Sequence, residues 1–265
     1  MSYGVTMTAV DYRNQTTLIT GASSGIGTEF ARRIAARGSD VVLVARRRDR
    51  LEKLAAELDV KATVIPLDLS RPDAGQALSE EVADRGLRIT SLINNAGFGT
   101  HGPFHGEDPQ RLTEELNVNI ASLVGISRAF IEPLRSAGTG VLVNVASLAA
   151  YQSSPNMAVY AATKAFVLSF TEALWGEARG TGLRVLALSP GLTRTEFFDV
   201  VGTDVMAQRA TFQTPGEVAD FGLRVLDRRN PPPSAVSGRL NRVLSTGSRL
   251  LTRRRTVVVS GMLTG

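Results

Sequence analysis

Residues 16–27 read TTLITGASSGIG, and this stretch decides the fold class. Its first five residues are apolar or β-branched, which is typical of a buried strand, and a helical pattern begins at Ile26. The glycines at 21, 25 and 27 permit a tight turn, close approach of the backbone to a pyrophosphate, and close packing of helix on strand. Free N–H groups at a helix start favour an anion. The segment predicts a phosphate-binding turn, although a glycine-rich turn without chemistry remains an alternative at this point.

The same alternation of strand and helix patterns continues along the chain. Strands buried on both faces read as continuous apolar runs, and their alternation with helices indicates a parallel sheet built by right-handed crossovers. We therefore expect an α/β protein with a doubly wound parallel sheet, the Rossmann fold. The strand patterns lie at 16–20, 41–45, 62–66, 91–94, 141–145 and 185–188, and the helical patterns at 26–37, 49–58, 73–85, 109–135 and 157–179.

Two segments depart from this alternation. Residues 192–213 place apolar side chains between two Pro-Gly pairs, and we interpret them as a helical flap over the substrate. Residues 231–265 begin with three prolines, followed by a short strand pattern at 234–237 and an amphipathic pattern that includes Leu240, Val243 and Leu244. Residues 256–260 could instead form the last strand. We treat 1–265 as one catalytic, dinucleotide-binding domain with a C-terminal extension.

Composition excludes several classes of protein. A chain of 265 residues with 43% hydrophobic content can bury one large core, and its lack of cysteine excludes disulfides and thiolate metal sites. His101 and His105 lie in a loop without further metal ligands at suitable spacing, so we expect no metal. The net charge of +5 favours anionic partners. With no leader pattern or apolar span in the sequence, we expect a cytoplasmic protein.

The end of the second strand indicates which cofactor binds. NAD-binding sites of this kind place an acidic residue there, about 20 residues after the glycine turn. Arg46 stands at that place, and a guanidinium suits the 2′-phosphate of NADP. Arg47 or Arg48 could assist, or could belong to a solvated helix start. Asp68, at the exit of the third strand, is placed to accept from the adenine amino group or to cap the next helix.

Tyr160 and Lys164 lie four positions apart on a helical pattern. This spacing puts both side chains on one helix face. A phenol with a pKa of about 10 is a poor base near neutral pH, and a nearby cation favours the phenolate. Alternatively, the two side chains could be a solvent-exposed pair on a helix surface without a chemical role. The position favours chemistry, because the pair follows a strand that ends at Ser147, and open α/β sheets bind ligands at the carboxyl ends of their strands.

Four motifs in this order resemble those of the short-chain dehydrogenase/reductase family. They are TGASSGIG at 20–27, NNAG at 94–97, Ser147 with YAATK at 160–164, and Pro-Gly at 190–191. The resemblance extends from residue 16 to about residue 231. The tail beyond that point departs from family members that end in Gly-Gly after the last strand. The resemblance implies a homodimer or homotetramer.

The resemblance also implies a mechanism and a cofactor site. Tyr160 would donate the proton to the carbonyl oxygen, Ser147 would hold that oxygen, and Lys164 would hold the nicotinamide ribose and lower the pKa of the tyrosine. Asn119 would keep a water in the proton relay, and we prefer it to Asn117 because it fits the Val-Asn-x-x-x-x-Gly pattern, with Gly125 displaced. The residues expected to bind NADP are Gly21, Ser23, Ser24, Gly25, Ile26, Gly27, Arg46, Asp68, Leu69, Asn95, Ala96, Gly97, Tyr160, Lys164, Pro190, Gly191, Thr193 and Thr195, with Asn95 acting mainly as a brace between strands.

The sequence also suggests a class of substrate. Phe98, Leu148, Tyr151 and Met157 flank the expected pocket, and the flap is apolar at several positions. We therefore expect a lipophilic ketone or aldehyde, although these residues could merely close the flap onto the fold. The chief alternative from another class is a sensor or scaffold that binds NADP without turnover. Nothing indicates nucleic acid, whereas the basic segment 239–255 could contact an anionic membrane surface.

Overall fold

The computed structural model describes residues 9–197, 212–247 and 252–264. They form a seven-stranded sheet in the order β3-β2-β1-β4-β5-β6-β7, and every pair of neighbouring strands is parallel. The strands are β1 (Thr16–Thr20), β2 (Asp40–Ala45), β3 (Ala62–Pro66), β4 (Ser91–Asn94), β5 (Val141–Val145), β6 (Arg184–Ser189) and β7 (Ser234–Val236). The expected doubly wound sheet is confirmed, with the strands within a residue of their expected limits.

Helices cover both faces of this sheet. Helices α1 and α7 pack together on one face, and α3 packs on α5 on the other. The described helices are α1 (Gly25–Ala35), α2 (Arg48–Ala56), α3 (Ala74–Asp84), α4 (Pro109–Leu116), α5 (Leu123–Ala137), α6 (Ala158–Glu177), α7 (Pro215–Leu226), α8 (Arg239–Gly247) and α9 (Arg253–Thr264). No helix within these described ranges is long and apolar enough to cross a membrane.

The core has two halves, one on each face of the sheet. Successive side chains of a strand point to opposite faces. Accordingly, Ile19 packs with Phe30 of α1, whereas its neighbour Leu18 packs with Leu78 of α3 and Leu134 of α5, and all five side chains are fully buried. This burial on both faces explains why the strands read as continuous apolar runs.

The strand order places the ligand crevice. The chain winds outward from β1 to β3, and then returns to place β4 on the other side of β1. The connections after β1 and β4 therefore diverge at the carboxyl edge of the sheet, and this reversal is where doubly wound folds bind ligands. The glycine turn follows β1 directly, and the NNAG motif covers the end of β4 and the loop after it.

The helix expected over 109–135 is divided. Between α4 and α5, residues Asn117–Ser122 form a π-helical turn. The Asn119 side chain in this turn forms hydrogen bonds with both backbone groups of Phe98, in the loop after β4. π-Helical turns are uncommon and often occur at functional sites.

Beyond β7, the described residues of the C-terminal extension include the helices α8 and α9. The strand considered for 256–260 is wrong, because these residues lie inside α9. The single amphipathic segment expected over 239–255 includes all of α8 and the start of α9, and residues 248–251 lie outside the described part. At the base of the flap, Thr193 and Gln213 form a parallel bridge that joins its two ends. Residues 198–211, which include most of the apolar flap positions, also lie outside the described residues.

Candidate active site

A cavity of about 1450 Å³ opens at the carboxyl edge of the sheet. It exceeds the roughly 300–1,000 Å³ of pockets for drug-sized ligands, so it can hold a larger or a second ligand. Two expected site residues, Gly27 and Asn119, do not line it. The expected residues that do line it are Gly21, Ser23, Ser24, Gly25, Ile26, Arg46, Asp68, Leu69, Asn95, Ala96, Gly97, Ser147, Tyr160, Lys164, Pro190, Gly191, Thr193 and Thr195.

The glycine turn forms one end of the cavity. Gly21 has a φ of +65°, which favours glycine, and Ser24 caps α1 with no side-chain hydrogen bond to the helix. The first-turn N–H groups of α1 are therefore not satisfied by their capping side chain, as an anion site requires. Gly27 packs directly against the turn, since a Cβ at this position would lie 2.3 Å from the carbonyl oxygen of Gly21.

Asn95 joins the turn to the end of β4. Its side-chain amide donates to the carbonyl oxygen of Thr20 at 3.0 Å, and its backbone N–H donates to the Thr20 hydroxyl at the same distance. The next residue, Ala96, donates its N–H to the same hydroxyl. These hydrogen bonds hold the ends of two neighbouring strands together, as a brace would.

The three arginines after β2 occupy different environments. Arg46 is exposed and lines the cavity. Arg47 donates to the Ser23 hydroxyl at 3.1 Å and pairs with Glu196, at the start of the flap, at 2.8 Å. Arg48 pairs with Glu52 one turn along its own helix at 3.4 Å. Arg46 and Arg47 therefore face the cavity, whereas Arg48 belongs to the solvated start of α2.

Asp68 has a local hydrogen-bonding role in this structure. Its Oδ1 accepts from the backbone N–H of Ser70 at 3.0 Å and from the Ser70 hydroxyl at 2.9 Å. The helix-capping alternative raised from the sequence is wrong, because Asp73 occupies the N-cap position of α3 and Asp68 closes a local turn with Ser70 instead. Asp68 also lines the cavity, so this turn holds its carboxylate at the wall.

Tyr160 lies at the other end of the cavity, near the start of α6. It is 9% exposed, and its ring packs against Phe197 with the centroids 5.1 Å apart. Burial raises the pKa of Tyr160 to about 12, while a hydrogen bond with Ser147 acts in the opposite direction. This corrects the expected direction of the tyrosine pKa shift in the free protein: the phenol remains protonated at neutral pH, as a proton donor must.

Lys164 reaches the same end of the cavity. Its Nζ donates to the carbonyl oxygen of Val145 at 3.0 Å. Burial lowers the pKa of this ammonium to about 8, and the nearby Glu115 carboxylate acts against that change. Lys164 is thus mostly an ammonium at neutral pH, but a readily deprotonated one.

Asn119 lies behind the cavity wall and is 1% exposed. Its amide nitrogen donates to the carbonyl oxygen of Phe98 at 2.8 Å and to the Thr163 hydroxyl at 3.0 Å. A Cβ on Gly97 would lie 3.0 Å from both Asn119 Oδ1 and Lys164 Nζ, so these two groups converge on one backbone position. Asn117 instead donates to the carbonyl oxygen of Ser70, away from this point.

Sequence reasoning missed three polar residues at this site. Glu115, fully buried in α4, lies in a run of polar residues that looks solvent-exposed in the sequence. Glu196 lines the cavity and pairs with Arg47 and with Arg50. Asn241 of α8 donates to the carbonyl oxygen of Ser237 at 2.8 Å and packs so closely on Gly191 that a Cβ there would overlap it. No sequence spacing signals these contacts, because each joins distant segments.

The described residues contain no group of three or more His, Asp or Glu side chains that could hold a metal ion. His101 and His105 thus have no such cluster around them within this part of the chain. The cavity lining brings together the Tyr160 phenol, the Ser147 hydroxyl and the Lys164 ammonium with the glycine turn after β1.

A family model of the short chain dehydrogenases matches residues 15–205, which include every motif described above. The chain belongs to the short-chain dehydrogenase/reductase family. As a member of this family, it is an oxidoreductase that uses a nicotinamide nucleotide and interconverts CH–OH and C=O groups.

Related proteins of this family differ in the substrates that they are named for. Sulfoacetaldehyde reductase 2 of Chromohalobacter salexigens is 37% identical over 210 residues, which cover 77% of this chain and 83% of that protein. A short-chain dehydrogenase from Sphingobium yanoikuyae, solved with NADPH, is 34% identical with a TM-score of 0.78, covering 89% of this chain and 93% of its own. A 7β-hydroxysteroid dehydrogenase of known structure is 26% identical with a TM-score of 0.84, and the match covers 96% of this chain and 99% of that protein.

Proposed function

We propose that this dehydrogenase uses NADPH to reduce a lipophilic ketone or aldehyde to its alcohol, and catalyses the reverse reaction with NADP. The observation that carries the proposal is the protonated phenol of Tyr160. It is buried at the end of a large cavity, hydrogen-bonded with Ser147, and faces apolar side chains. A donor of this kind suits a carbonyl oxygen that gains negative charge as hydride reaches its carbon.

We propose that the cavity binds nicotinamide adenine dinucleotide phosphate. The pyrophosphate would lie on the N–H groups at the start of α1, where the Ser24 side chain makes no capping hydrogen bond. Arg46 would bind the 2′-phosphate, with Arg47 beside it, because a guanidinium matches a phosphate dianion and keeps its charge. Asp68 would face the adenine end. Relatives solved with NADPH and NADP support this choice of cofactor.

The other cofactor contacts lie nearer to Tyr160. Thr193 donates to the carbonyl oxygen of Gly191 at 2.9 Å, and Thr195 donates to that of Thr193 at 3.4 Å, so this loop is ordered by its own hydroxyls. We propose that it holds the carboxamide of the nicotinamide, while Lys164 holds the adjoining ribose. The bound cofactor supplies or accepts the hydride.

The protein supplies the proton and the geometry. Ser147, whose hydroxyl also accepts from the N–H of Ala149 at 3.1 Å, would hold the substrate oxygen next to Tyr160. Tyr160 then donates its proton to that oxygen during reduction and recovers it during oxidation. The Lys164 ammonium stabilises the phenolate that forms, since an opposite charge nearby favours the ionised phenol. Asn119 would position a water near Lys164 for exchange of protons with solvent.

The walls around this point favour an apolar substrate. Leu240, Val243 and Leu244 follow the spacing of one helix face on α8, and they extend the apolar lining toward the cavity mouth. The described apolar side chains that line the cavity near Tyr160 include Phe98, Leu148, Met157, Phe197, Leu240, Val243, Leu244 and Val259. A small polar carbonyl compound would leave these apolar side chains exposed to water, whereas a substrate with a hydrocarbon moiety would bury them.

The competing possibility is a small anionic aldehyde, as the name of the Chromohalobacter relative suggests. Arg239 lines the cavity and is a cation that a sulfonate could use. A panel of carbonyl compounds with NADPH, containing medium-chain ketones, a steroid ketone and sulfoacetaldehyde, separates the two. We expect the highest kcat/KM on the lipophilic members, and turnover confined to sulfoacetaldehyde would contradict the proposal. NADPH binding without turnover of any member would indicate a binding protein instead.

Cofactor choice has its own test. Binding to the native state raises the melting temperature by mass action, so NADPH should raise it more than NADH at equal concentration. Arg46→Ser should remove this difference, whereas the control Arg48→Ser should keep it, because Arg48 pairs with Glu52 away from the cavity. A larger shift with NADH in the unaltered protein would contradict the role of Arg46.

We also propose a homodimer or homotetramer. On α6, Phe166 stacks on Phe170 with ring centroids 5.8 Å apart, yet Phe166 remains 40% exposed in the single chain. Aromatic side chains of this kind are enriched where subunits meet. Phe166→Glu should shift the sedimentation coefficient towards that of a smaller species. An unaltered protein that sediments as a monomer would contradict the proposal.

A further inference from the structure

Helix α8 turns its large apolar side chains away from the fold. Leu240 and Val243 are 66% and 67% exposed, and Leu244 is half exposed. The side that meets the protein instead carries Asn241, which packs on the loop after β6, and Ser245, which is buried. A surface helix normally places its apolar residues against the core and its polar residues in water, so α8 has the reverse arrangement.

Helix α9 repeats this arrangement. Val257, Val258 and Val259 are exposed in succession, whereas the next residue, Ser260, is buried and forms a hydrogen bond with the Ser154 hydroxyl at 3.4 Å. Among the described residues, six of the nine large apolar side chains that are exposed lie on α8 and α9. The exposed apolar surface of the chain is therefore concentrated on its C-terminal extension.

The same extension carries a concentrated positive charge. Residues 228–265 contain eight arginines and no lysine, aspartate or glutamate, so they hold more charge than the net +5 of the whole chain. Within the described ranges, none of the arginines on α8 and α9 forms a salt bridge with an acidic side chain. These exposed arginines are Arg239, Arg242, Arg253, Arg254 and Arg255.

Both helices border the mouth of the cavity. Leu240 and Val243 of α8 and Val259 of α9 line the cavity and are also exposed to solvent. Arg239 shares both properties. Residues that are at once lining and exposed mark where a cavity opens, so the apolar and basic surface of the two helices adjoins the cavity mouth.

This combination selects one kind of partner. The surface of an anionic bilayer offers negative headgroups to arginines and a hydrocarbon phase to leucines and valines. A second copy of the chain would bring the same arginines against each other, and like charges repel. A nucleic acid would leave the apolar side chains in water, and residues 228–265 contain no aromatic side chain on which a base could stack.

We propose that α8 and α9 dock this enzyme on the surface of an anionic lipid membrane, with the cavity mouth turned towards the bilayer. A lipophilic substrate dissolved in the bilayer then reaches the cavity without passing through water. That consequence rests on the proposed carbonyl reduction, whereas the docking itself does not.

Sedimentation of the full chain with phospholipid vesicles tests the docking. Vesicles of pure phosphatidylcholine are compared with vesicles of equal parts phosphatidylcholine and phosphatidylglycerol. The charge variant carries Arg253→Gln, Arg254→Gln and Arg255→Gln, none of which lines the cavity. Its control removes the same charge from exposed arginines that precede β4, β5 and β6, at the opposite edge of the sheet. The control substitutions are Arg88→Gln, Arg135→Gln and Arg179→Gln.

We expect the unaltered protein to bind the anionic vesicles but not the neutral ones, and added salt to weaken this binding. The charge variant should bind about tenfold more weakly or worse, because each arginine near an anionic surface contributes about fivefold. The control should stay within about twofold of the unaltered protein. Failure to bind anionic vesicles, equal binding to both kinds, or an equal loss in the charge variant and its control would overturn the proposal.

The apolar contribution is tested by Val257→Gln combined with Val258→Gln. This double variant keeps every arginine, and neither valine lines the cavity. Its binding to anionic vesicles should fall by about tenfold or more, since apolar side chains that enter the bilayer leave water. An unchanged melting temperature shows that its fold is intact. If the folded double variant binds as tightly as the unaltered protein, the apolar face does not contact the membrane and the proposal is overturned.

Fluorescence tests the orientation on the membrane. Trp175 is the single tryptophan of the chain and lies in the last turn of α6, at the opposite edge of the sheet from the cavity. Val258→Trp adds a second one on α9. Anionic lipids with brominated acyl chains should quench the added tryptophan and leave Trp175 of the unaltered protein unquenched. Quenching of Trp175, or of neither residue, would overturn the proposed orientation. These measurements need no turnover, so a failure of the proposed reduction leaves their outcome unchanged.

Discussion

Lys164 Nζ lies 5.8 Å from the centre of the Tyr160 ring while it donates to the carbonyl oxygen of Val145. The backbone of β5 thus holds the cation beside the phenol before any ligand arrives. Burial moves the two pKa values apart, to about 12 for the tyrosine and about 8 for the lysine, and both groups are protonated at neutral pH. The free enzyme is therefore prepared to donate a proton.

Lys164→Met should abolish most of the activity. Without the ammonium, burial and the Glu115 carboxylate both disfavour the Tyr160 phenolate, and nothing in α6 replaces the lost attraction. We expect kcat for reduction to fall by about a hundredfold or more, within the range for loss of a proton-transfer group. NADPH should also bind more weakly, as measured by its fluorescence. Lys53→Met, on the exposed side of α2, is the control, and equal kcat in the two variants would refute this role.

Glu196→Gln should tighten NADPH binding without affecting NADH. The Glu196 carboxylate occupies Arg47 and Arg50, so it competes with a 2′-phosphate for Arg47 and repels it. The gain should be a few-fold, on the scale of about 1 kcal/mol for an exposed ion pair, and should shrink as salt increases. Isothermal titration calorimetry with both cofactors measures it. Glu57→Gln, which breaks an ion pair with Arg32 elsewhere, should change neither affinity; weaker NADPH binding by Glu196→Gln would show that the pair supports the site instead.

Gly27→Ala should destabilise the fold, whereas Gly176→Ala should stabilise it. A Cβ at Gly27 would lie 2.3 Å from the Gly21 carbonyl oxygen and 2.5 Å from the Asn95 amide, so it disrupts the brace between β1 and β4. Overpacking of this kind costs about 1–3 kcal/mol. A Cβ at Gly176, near the end of α6, would meet nothing within 4 Å, and alanine favours the helix by about 0.5–1 kcal/mol. Urea denaturation measures both, and a Gly27→Ala variant as stable as the unaltered protein would contradict the packing described here.

Glu115→Gln should change stability in a pH-dependent manner. The folded protein raises the pKa of Glu115 from 4.5 to about 7, so between these values it binds more protons than the unfolded chain. The free energy of unfolding therefore falls as pH rises through this window. Above it, Glu115 is ionised in the folded protein, and the buried charge lowers stability at every higher pH. The melting temperature of Glu115→Gln relative to the unaltered protein should be higher at about pH 8 than at about pH 5. A difference independent of pH would mean that the carboxyl titrates normally.

The sheet and most of the cavity could be predicted from the sequence because their causes are local. Buried parallel strands leave continuous apolar runs, and the glycine turn, Ser147 and the Tyr160–Lys164 spacing each lie within a short segment. The position of Arg46 follows from the end of β2. The order of strands and helices along the chain is then sufficient to bring these features together at the carboxyl edge of the sheet.

The features that the sequence did not predict depend on contacts between distant segments. The π-helical turn accompanies hydrogen bonds from Asn119 to Phe98 in another loop. Glu115 is buried because its turn of α4 packs against α6, although its neighbours Glu114 and Leu116 are more exposed. Residues 256–260 contain three valines that favour a strand by local preference, yet they form part of α9. Local propensity yields to tertiary packing in such places.

The central claim is that Tyr160 transfers the proton, and Tyr160→Phe tests it most directly. The substitution removes the hydroxyl and keeps the ring that packs on Phe197. Single-turnover oxidation of bound NADPH by a carbonyl substrate should slow by about a hundredfold or more, while the NADPH dissociation constant stays within about twofold of the original. A Tyr160→Phe variant that binds NADPH and oxidises it at the original rate would contradict the account and place the proton donor elsewhere.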